Sequence, residues 1–308
     1  MGLTDADDSE EAEEKCCASC GIAEVDDIKL TECDGCDLAR YCSDECQANH
    51  RPDHESECKE RAAELRDEIV FKQPESTHLG DCPICCVPLP IDEEKSILYT
   101  CCCRLICKGC DYTNRLRQYE QNIRLTCAFC RQNMPKTREE INKNRMKRID
   151  AKDPVALRQM GLRHFEKGDY DRAFKCLAKA AELGDADSHY NLSIMYNQGN
   201  GVEKDEVKEL YHLEEAAIAG QPAARHDLGV YEWNKRSYDR AVKHFMIAAS
   251  LGDDGSIQDM KKCYKHKLVS KEDFAAALRA HHAAVKATKS PEREEAGNNF
   301  DKFFGHTL

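Results

Sequence analysis

Residues 180–184 read Ala-Ala-Glu-Leu-Gly, and the same pattern of an alanine pair followed by glycine returns at 216–220 and 248–252. The spacings between these units are 36 and 32 residues. The apolar residues around them recur with a helical period, and a glycine in the left-handed conformation commonly ends a helix. Each unit therefore predicts a helix, a turn and a second helix that ends on a glycine. Because such pairs bury their apolar faces only by stacking, we expect a helical solenoid.

The second unit contains the most distinctive combination of residues. It consists of Leu192, Tyr196, Gly199-x-Gly201-Val202, Asp205, Lys208, Ala216-Ala217 and Gly220. This combination resembles the Sel1-like repeat of the tetratricopeptide superfamily. The resemblance covers about residues 153–288, with three repeats and a degraded fourth around 260–287, and Asp153-Pro154 is a plausible first helix start. It implies an adaptor role in which a concave surface of the solenoid binds protein or peptide ligands.

Cysteine is concentrated upstream of the repeats, because 18 of the 20 cysteines lie between Cys16 and Cys130. Residues 1–15 are acidic and contain no apolar run, which predicts a disordered tail rather than a signal peptide. No apolar stretch reaches the roughly 18 residues of a membrane span, so no membrane partner is expected. We therefore expect an intracellular protein, in the cytoplasm or nucleus, whose thiols are metal ligands.

The net charge of −12 and the pI of about 5.5 argue against nucleic acid as a partner, since phosphate would be repelled. The basic residues at 143–148 are interpreted as part of a solvated linker or helix.

The first cysteine cluster has eight candidate zinc ligands in four pairs. They are Cys17 and Cys20, Cys33 and Cys36, Cys42 and Cys46, and His54 and Cys58. Four thiolate or imidazole ligands make a closed tetrahedral site, so two structural zinc ions are expected. Residues 16–58 contain few large apolar side chains, and zinc would therefore supply most of the folding energy.

The string Tyr41-Cys42-Ser43-Asp44-Glu45-Cys46-Gln47, followed by His54 and Cys58, resembles the MYND-type zinc finger. The resemblance covers residues 17–58 and implies an interleaved pairing. Cys17, Cys20, Cys42 and Cys46 would hold one zinc, and Cys33, Cys36, His54 and Cys58 the other. MYND modules tend to bind short proline-containing peptides, but His50 stands where they usually carry tryptophan, so peptide binding is left open.

The second cluster again supplies four pairs. It comprises Cys82, Cys85, the run Cys101-Cys102-Cys103, Cys107, Cys110, Cys127 and Cys130. It resembles an all-cysteine RING finger, which implies that Cys82, Cys85, Cys107 and Cys110 share one zinc. Two of the three cysteines at 101–103 would join Cys127 and Cys130; we favour Cys101 and Cys102, although the sequence leaves the choice open. Together the clusters predict about four zinc ions per chain.

A RING finger docks a ubiquitin-loaded E2 enzyme and orients its thioester, which is catalysis by positioning. By position in the RING pattern, Ile84 and Arg131 are candidate E2 contacts. Leu116, on a helix expected at about 112–121, is a third candidate, although it could equally belong to the core. Ala128 occupies a place where E2-binding RING fingers commonly have proline.

The predicted fold is mainly α, with two small cross-braced zinc-finger modules followed by an α-α solenoid of Sel1-like repeats. The expected boundaries are an acidic tail at 1–15, a MYND finger at 16–58, a linker at 59–80, a RING-like finger at 81–135, a charged linker at 136–152, repeats at 153–288 and a C-terminal tail or cap at 289–308. The favoured function is a RING-type E3 ubiquitin-protein ligase whose other modules recruit partners, with no covalent catalytic residue of its own. The alternative is a non-enzymatic zinc-binding scaffold or adaptor.

Overall fold

The computed structural model describes residues 16–25 and 28–304, so the expected acidic tail at 1–15 lies outside the described residues. The chain divides into two compact units, one ending at Val70 and the other beginning at Phe71. The predicted fold class is confirmed, because cysteine-rich modules precede a long series of paired helices. No helix in the described ranges is long and apolar enough to cross a membrane.

The first unit contains a short hairpin and one long helix. Strand β1 (Thr31–Glu32) pairs antiparallel with β2 (Arg40–Tyr41), and helix α1 runs from Asp44 to Val70. Its small core contains the buried side chains of Cys17, Ala39 and Tyr41. The helix includes residues 59–70, which the sequence assigns to a linker.

The second unit begins with the other cysteine-rich module. Strand β3 (Ser96–Tyr99) pairs antiparallel with β4 (Arg104–Cys107), and helix α2 (Lys108–Glu120) follows directly. The side chains of Leu89, Tyr99 and Ile106 are buried between these elements. Helix α3 (Arg138–Asp150) then carries the basic residues at 143–148, and Arg148 at its end pairs with Asp153.

The solenoid consists of eight further helices. They are α4 (Pro154–Glu166), α5 (Tyr170–Glu182), α6 (Ala186–Gln198), α7 (Glu206–Ile218), α8 (Pro222–Asn234), α9 (Tyr238–Ser250), α10 (Asp254–Lys265) and α11 (Lys271–Ala287). Helices α4 and α5, α6 and α7, α8 and α9, and α10 and α11 pack as consecutive pairs. As predicted, Asp153 caps α4, because its Oδ1 accepts from the backbone N–H groups of Val155 and Ala156.

The alanine and glycine positions that reveal the repeat have the expected mechanical roles. Ala180, Ala216 and Ala248 are completely buried. Gly184, Gly220 and Gly252 have φ values of +84°, +85° and +96°, the left-handed conformation predicted for the helix ends.

A last helix, α12 (Pro291–Phe304), packs against α2 of the second cysteine-rich module. Within the segment 289–308, which the sequence describes as a tail or cap, residues 291–304 therefore form a helix that covers part of this module.

Candidate zinc centres and the groove beside them

Four groups of side chains bring their ligand atoms within 4.8 Å of one another. The groups are Cys17, Cys20, Cys42 and Cys46; Cys33, Cys36, His54 and Cys58; Cys82, Cys85, Cys107 and Cys110; and Cys101, Cys102, Cys127 and Cys130. These are the four sets implied by the family resemblances, with the interleaving between sequence pairs.

The first group lies where the N-terminal turn meets the start of α1. The Sγ atoms of Cys20 and Cys42 are 3.5 Å apart, and those of Cys42 and Cys46 are 3.6 Å apart. Tetrahedral zinc with Zn–S bonds of about 2.3 Å places sulfur atoms about 3.8 Å apart. The donor set and its spacing therefore fit a zinc ion.

The second group takes two ligands from the β1–β2 hairpin and two from successive turns of α1. His54 Nε2 lies 3.1 Å from Cys36 Sγ, and the Sγ atoms of Cys33 and Cys58 are 3.7 Å apart. A side chain at Gly35 would place its Cβ only 2.9 Å from the Cys58 sulfur. Gly35 thus lets the hairpin approach the helix closely, a role that the cysteine spacing does not indicate.

His50, the residue in the usual tryptophan position, supports a ligand from outside the metal group. Its ring stacks on His54 with centroids 5.5 Å apart, and its Nδ1 lies 3.1 Å from the hydroxyl of the buried Tyr41. Packing and hydrogen bonding of this kind hold a metal-binding imidazole in one orientation.

The third and fourth groups lie in the second module. The Sγ atoms of Cys85 and Cys107 are 3.8 Å apart. In the other group the separations are 3.8 Å between Cys102 and Cys127 and 3.3 Å between Cys101 and Cys130. The two separations of 3.8 Å match the edge of a zinc–thiolate tetrahedron, and all four ligand atoms of each group lie within 4.8 Å of one another.

Cys16, Cys86 and Cys103 belong to none of the four groups. Cys103 is buried apart from the ligand atoms of the group formed by Cys101, Cys102, Cys127 and Cys130.

The position of Cys86 follows from a turn that recurs after the ligand pairs. Gly21, Cys86 and Arg131 each follow a Cys-x2-Cys pair, and their φ values are +73°, +54° and +60°. Each donates its backbone N–H to the carbonyl of the first cysteine of its pair, Cys17, Cys82 or Cys127. The turn thus places each of these three residues outside the ligand group that its cysteine pair belongs to.

A buried polar network anchors α2 to β3. The Tyr99 hydroxyl donates to Asp111 Oδ1, and Arg115 Nε lies 2.8 Å from Asp111 Oδ2. Burial, followed by the negative charge of Asp111, raises the pKa of Tyr99. This network joins α2, which carries the candidate ligand Cys110, to β3.

A groove of about 820 Å³ lies between the two ligand-bearing turns of this module. Ile84 and Phe129 line it with 43% and 42% of their surfaces exposed, and Arg131 and Ala128 also face it. The structure thus brings two of the three candidate E2 contacts, Ile84 and Arg131, into one groove.

Leu116 does not line the groove. Thr113 and Arg117 do, because residues four apart share one face of a helix, whereas Leu116 is rotated by about 100° from Arg117. On α2, the candidate contacts with an E2 enzyme are therefore the polar residues Thr113 and Arg117 instead of Leu116.

Another wall of the groove is formed by Glu292 and Arg293 in the first turn of α12 and by Ser290 just before it. Arg293 donates hydrogen bonds to the carbonyl oxygens of Val87 and Pro88, at 2.9 and 2.6 Å, and its Nη2 lies 3.5 Å from Cys85 Sγ. A Cβ at Gly109 would lie 2.9 Å from the backbone nitrogen of Arg293. No feature of the sequence pattern connects positions 85–88 with position 293.

Models of known families match two of the three modules. Residues 17–58 match the MYND finger, and residues 154–185, 186–221 and 222–253 match the Sel1 repeat. Residues 82–131 lie outside both matches. The fold and the four ligand groups thus define a zinc-binding protein with a MYND finger and Sel1 repeats, a class built from protein-interaction modules.

Two curated relatives carry the name "DAP3-binding cell death enhancer 1". The Mus musculus protein is 25% identical over 182 residues, covering 46% of this chain and 36% of the relative. The Rattus norvegicus protein is 24% identical over 187 residues, covering 48% and 37% respectively. The chain therefore spans little more than a third of the curated relatives that it matches.

Two solved structures are also similar. A Sel1 repeat protein from Oxalobacter formigenes matches with a TM-score of 0.42 and 22% identity, covering 63% of this chain and 78% of that one. The protective antigen c5321 of uropathogenic Escherichia coli, which displays an SLR fold, matches with a TM-score of 0.40 and 24% identity, covering 54% and 37%.

Proposed function

We propose that this protein is a RING-type E3 ubiquitin-protein ligase whose MYND finger and Sel1 repeats recruit protein partners. The observation that carries the proposal is the groove of the second module, where the exposed side chains of Ile84 and Phe129 lie beside Arg131. Apolar side chains open to solvent in a groove are typical of a protein-binding site.

The sixteen grouped side chains are the zinc ligands in this proposal, with about four ions per chain. Zinc would neutralise the negative charge of the thiolates. It would also hold in place the two turns on either side of the groove. Each tetrahedron is closed by protein ligands, so the metal would take no part in bond making.

The groove would hold an E2 enzyme so that the amine of a substrate lysine attacks the ubiquitin thioester. An isopeptide bond then forms while the E2 cysteine leaves as the thiol, and this chain supplies orientation only. Arg131 suits such a role because its planar guanidinium offers several hydrogen-bond donors in a fixed geometry.

An autoubiquitination assay with a panel of E2 enzymes tests the proposal. We expect activity for the full chain and a loss of at least about tenfold for Ile84→Ala and for Arg131→Ala. Leu116→Ala and Arg124→Ala are matched controls, since neither side chain lines the groove. Equal activity in all variants, with zinc content unchanged, would rule out a role for the groove.

The alternative proposal is a non-enzymatic zinc-binding adaptor. It is supported by the Sel1 repeats, which generally mediate protein–protein interactions, and by Ala128 in a groove position where proline is common among active RING fingers. The name of the curated relatives refers to binding of DAP3, which makes purified DAP3 a direct binding probe. The absence of ubiquitin transfer with every E2, combined with saturable DAP3 binding, would favour the adaptor.

A further inference from the structure

Residues 71–80, which follow the first unit, form no helix or strand; residues 71–78 contact the solenoid, whereas Leu79 packs against the core of the second cysteine-rich module. Residues 71–78 contact three places that belong to two successive repeats: the start of α6, the turn between α7 and α8, and the first turns of α9. We call these places together the docking strip, defined by Asp187, Gly220, Arg240, Lys243 and His244.

An aromatic contact forms one end of the interaction. The ring of Phe71 lies 4.6 Å from the ring of the buried His244. Arg240 Cζ and Lys243 Nζ lie 4.9 and 5.2 Å from the centre of the Phe71 ring. Cations at such distances are attracted to the electron-rich ring face, so this end selects an aromatic side chain.

Between the two ends of the interaction, the backbone of residues 76–78 lies close to the backbone of Gly220. The N–H of His78 donates to the carbonyl oxygen of Gly220 at 3.0 Å. A Cβ at Gly220 would lie only 2.6 Å from the carbonyl oxygen of Ser76. Only glycine leaves room for the segment at this point.

A contact between an imidazole and a carboxylate forms the other end. His78 Nε2 lies 2.8 Å from Asp187 Oδ1, and both side chains are largely buried, with 12% and 18% of their surfaces exposed. Arg158 also lies 2.7 Å from Asp187, so the carboxylate is held in place from the solenoid side.

We propose that the docking strip is a binding site for extended peptide segments with an aromatic residue followed seven positions later by histidine, and that residues 71–78 occupy it in cis. A partner that presents such a segment would bind by displacing residues 71–78, while Leu79 and Gly80 stay joined to the second cysteine-rich module. The contacts with the strip involve side chains and one backbone hydrogen bond, which suits exchange between a tethered and an incoming segment. The inference is independent of ligase activity.

A labelled synthetic peptide of residues 71–80 tests the proposal on the full chain. The tethered segment competes at an effective concentration on the order of millimolar, so the wild-type strip should bind the peptide poorly. The variant Phe71→Ala/His78→Ala vacates the strip and should bind the wild-type peptide at least about tenfold more tightly. Equal binding by both proteins, or none by the vacated variant, would overturn the proposal.

Two glycine substitutions make a matched pair within the vacated variant. Gly220 and Gly184 have nearly the same φ, +85° and +84°, but a Cβ at Gly184 meets nothing within 4 Å. Gly220→Ala should abolish peptide binding, and Gly184→Ala should leave it within about twofold. Equal effects of the two substitutions would contradict the assigned position of the peptide.

Hydrogen exchange of the His78 amide gives a readout that does not require the vacated variant. In the otherwise unaltered chain, this amide should exchange at least about tenfold faster in Gly220→Ala than in Gly184→Ala. Equal rates would mean that the hydrogen bond to Gly220 does not hold the segment, and the proposal would fail.

Discussion

Arg293 Nη2 donates a hydrogen bond to the carbonyl oxygen of Val87 at 2.9 Å, although the two residues are 206 positions apart. The same guanidinium group reaches Pro88 and the sulfur of Cys85. A residue near the end of the chain therefore supports a loop that carries a candidate zinc ligand. The second cysteine-rich module is completed by α12, which follows the whole solenoid in sequence.

Substitution of Arg293 by alanine should weaken metal binding in the group that contains Cys85. Hydrogen bonds to metal ligands typically account for about 10- to 100-fold in metal affinity. We therefore expect faster zinc release to a chelator, followed with a zinc-responsive dye. Arg279→Ala, an exposed arginine on α11, should release zinc at the wild-type rate. Identical release from both variants would mean that the Arg293 contacts do not affect the metal site.

Zinc content should report the ligand groups directly. Elemental analysis of the purified chain should give about four zinc ions, by counting ligands in fours. Cys82→Ser should lower the content by about one ion, because Cys82 belongs to a ligand group. Cys103→Ser should leave it unchanged, since Cys103 belongs to none. Two ions or fewer in the wild-type protein would show that one cysteine-rich module does not bind metal as proposed.

Gly229 is packed so closely that a methyl group should destabilise the solenoid. A Cβ at this position would lie 2.6 Å from Cε1 of Phe245, a side chain that is itself buried. Overpacking of this kind costs about 1–3 kcal/mol. Urea denaturation followed by circular dichroism should show this loss for Gly229→Ala.

Gly297 provides the opposite case for the same substitution. It lies within α12, and a Cβ there would meet nothing within 4 Å. Gly297→Ala should therefore be neutral or stabilising by about 0.5–1 kcal/mol, because alanine loses less backbone entropy in a helix. Destabilisation of similar size by both substitutions would contradict the packing assigned to Gly229.

A histidine pair between α6 and α7 should make the solenoid less stable in acid. His189 Nδ1 and His212 Nδ1 are 3.0 Å apart, and burial, followed by the charge of His189, lowers the pKa of His212 to about 4. The unfolded chain has a histidine pKa of about 6.5 and so binds more protons between pH 6.5 and 4. This contribution to stability is present above pH 6.5 and is lost as the pH falls.

The size of the effect follows from about 1.4 kcal/mol per pKa unit, which gives up to about 3 kcal/mol for His212. Urea midpoints of wild type and His212→Gln, compared at pH 7 and pH 5, measure it. The variant should lose less stability than wild type over this interval, while the zinc sites respond alike in both proteins. Equal losses would show that the pair does not contribute.

Much of the helical half was predictable because its interactions are local. The alanine pairs and Gly184, Gly220 and Gly252 predict helix pairs, and burial and backbone angles agree. Asp153-Pro154 predicts a helix start for the same reason, since a cap acts on residues two or three positions away. The groove was less predictable, because the face on which Leu116 lies depends on where α2 begins.

The sequence by itself determined the modular order, the helical repeat and the residue types that suit zinc, because each depends on spacing along one stretch of chain. Only the tertiary structure decided that Cys101 and Cys102, rather than Cys103, lie beside Cys127 and Cys130. It also decided that Arg293 supports the Cys85 loop and that residues 71–78 lie against Asp187 and Gly220. These three relationships join distant positions through shape and hydrogen bonding, and none of them leaves a periodic signal in the sequence.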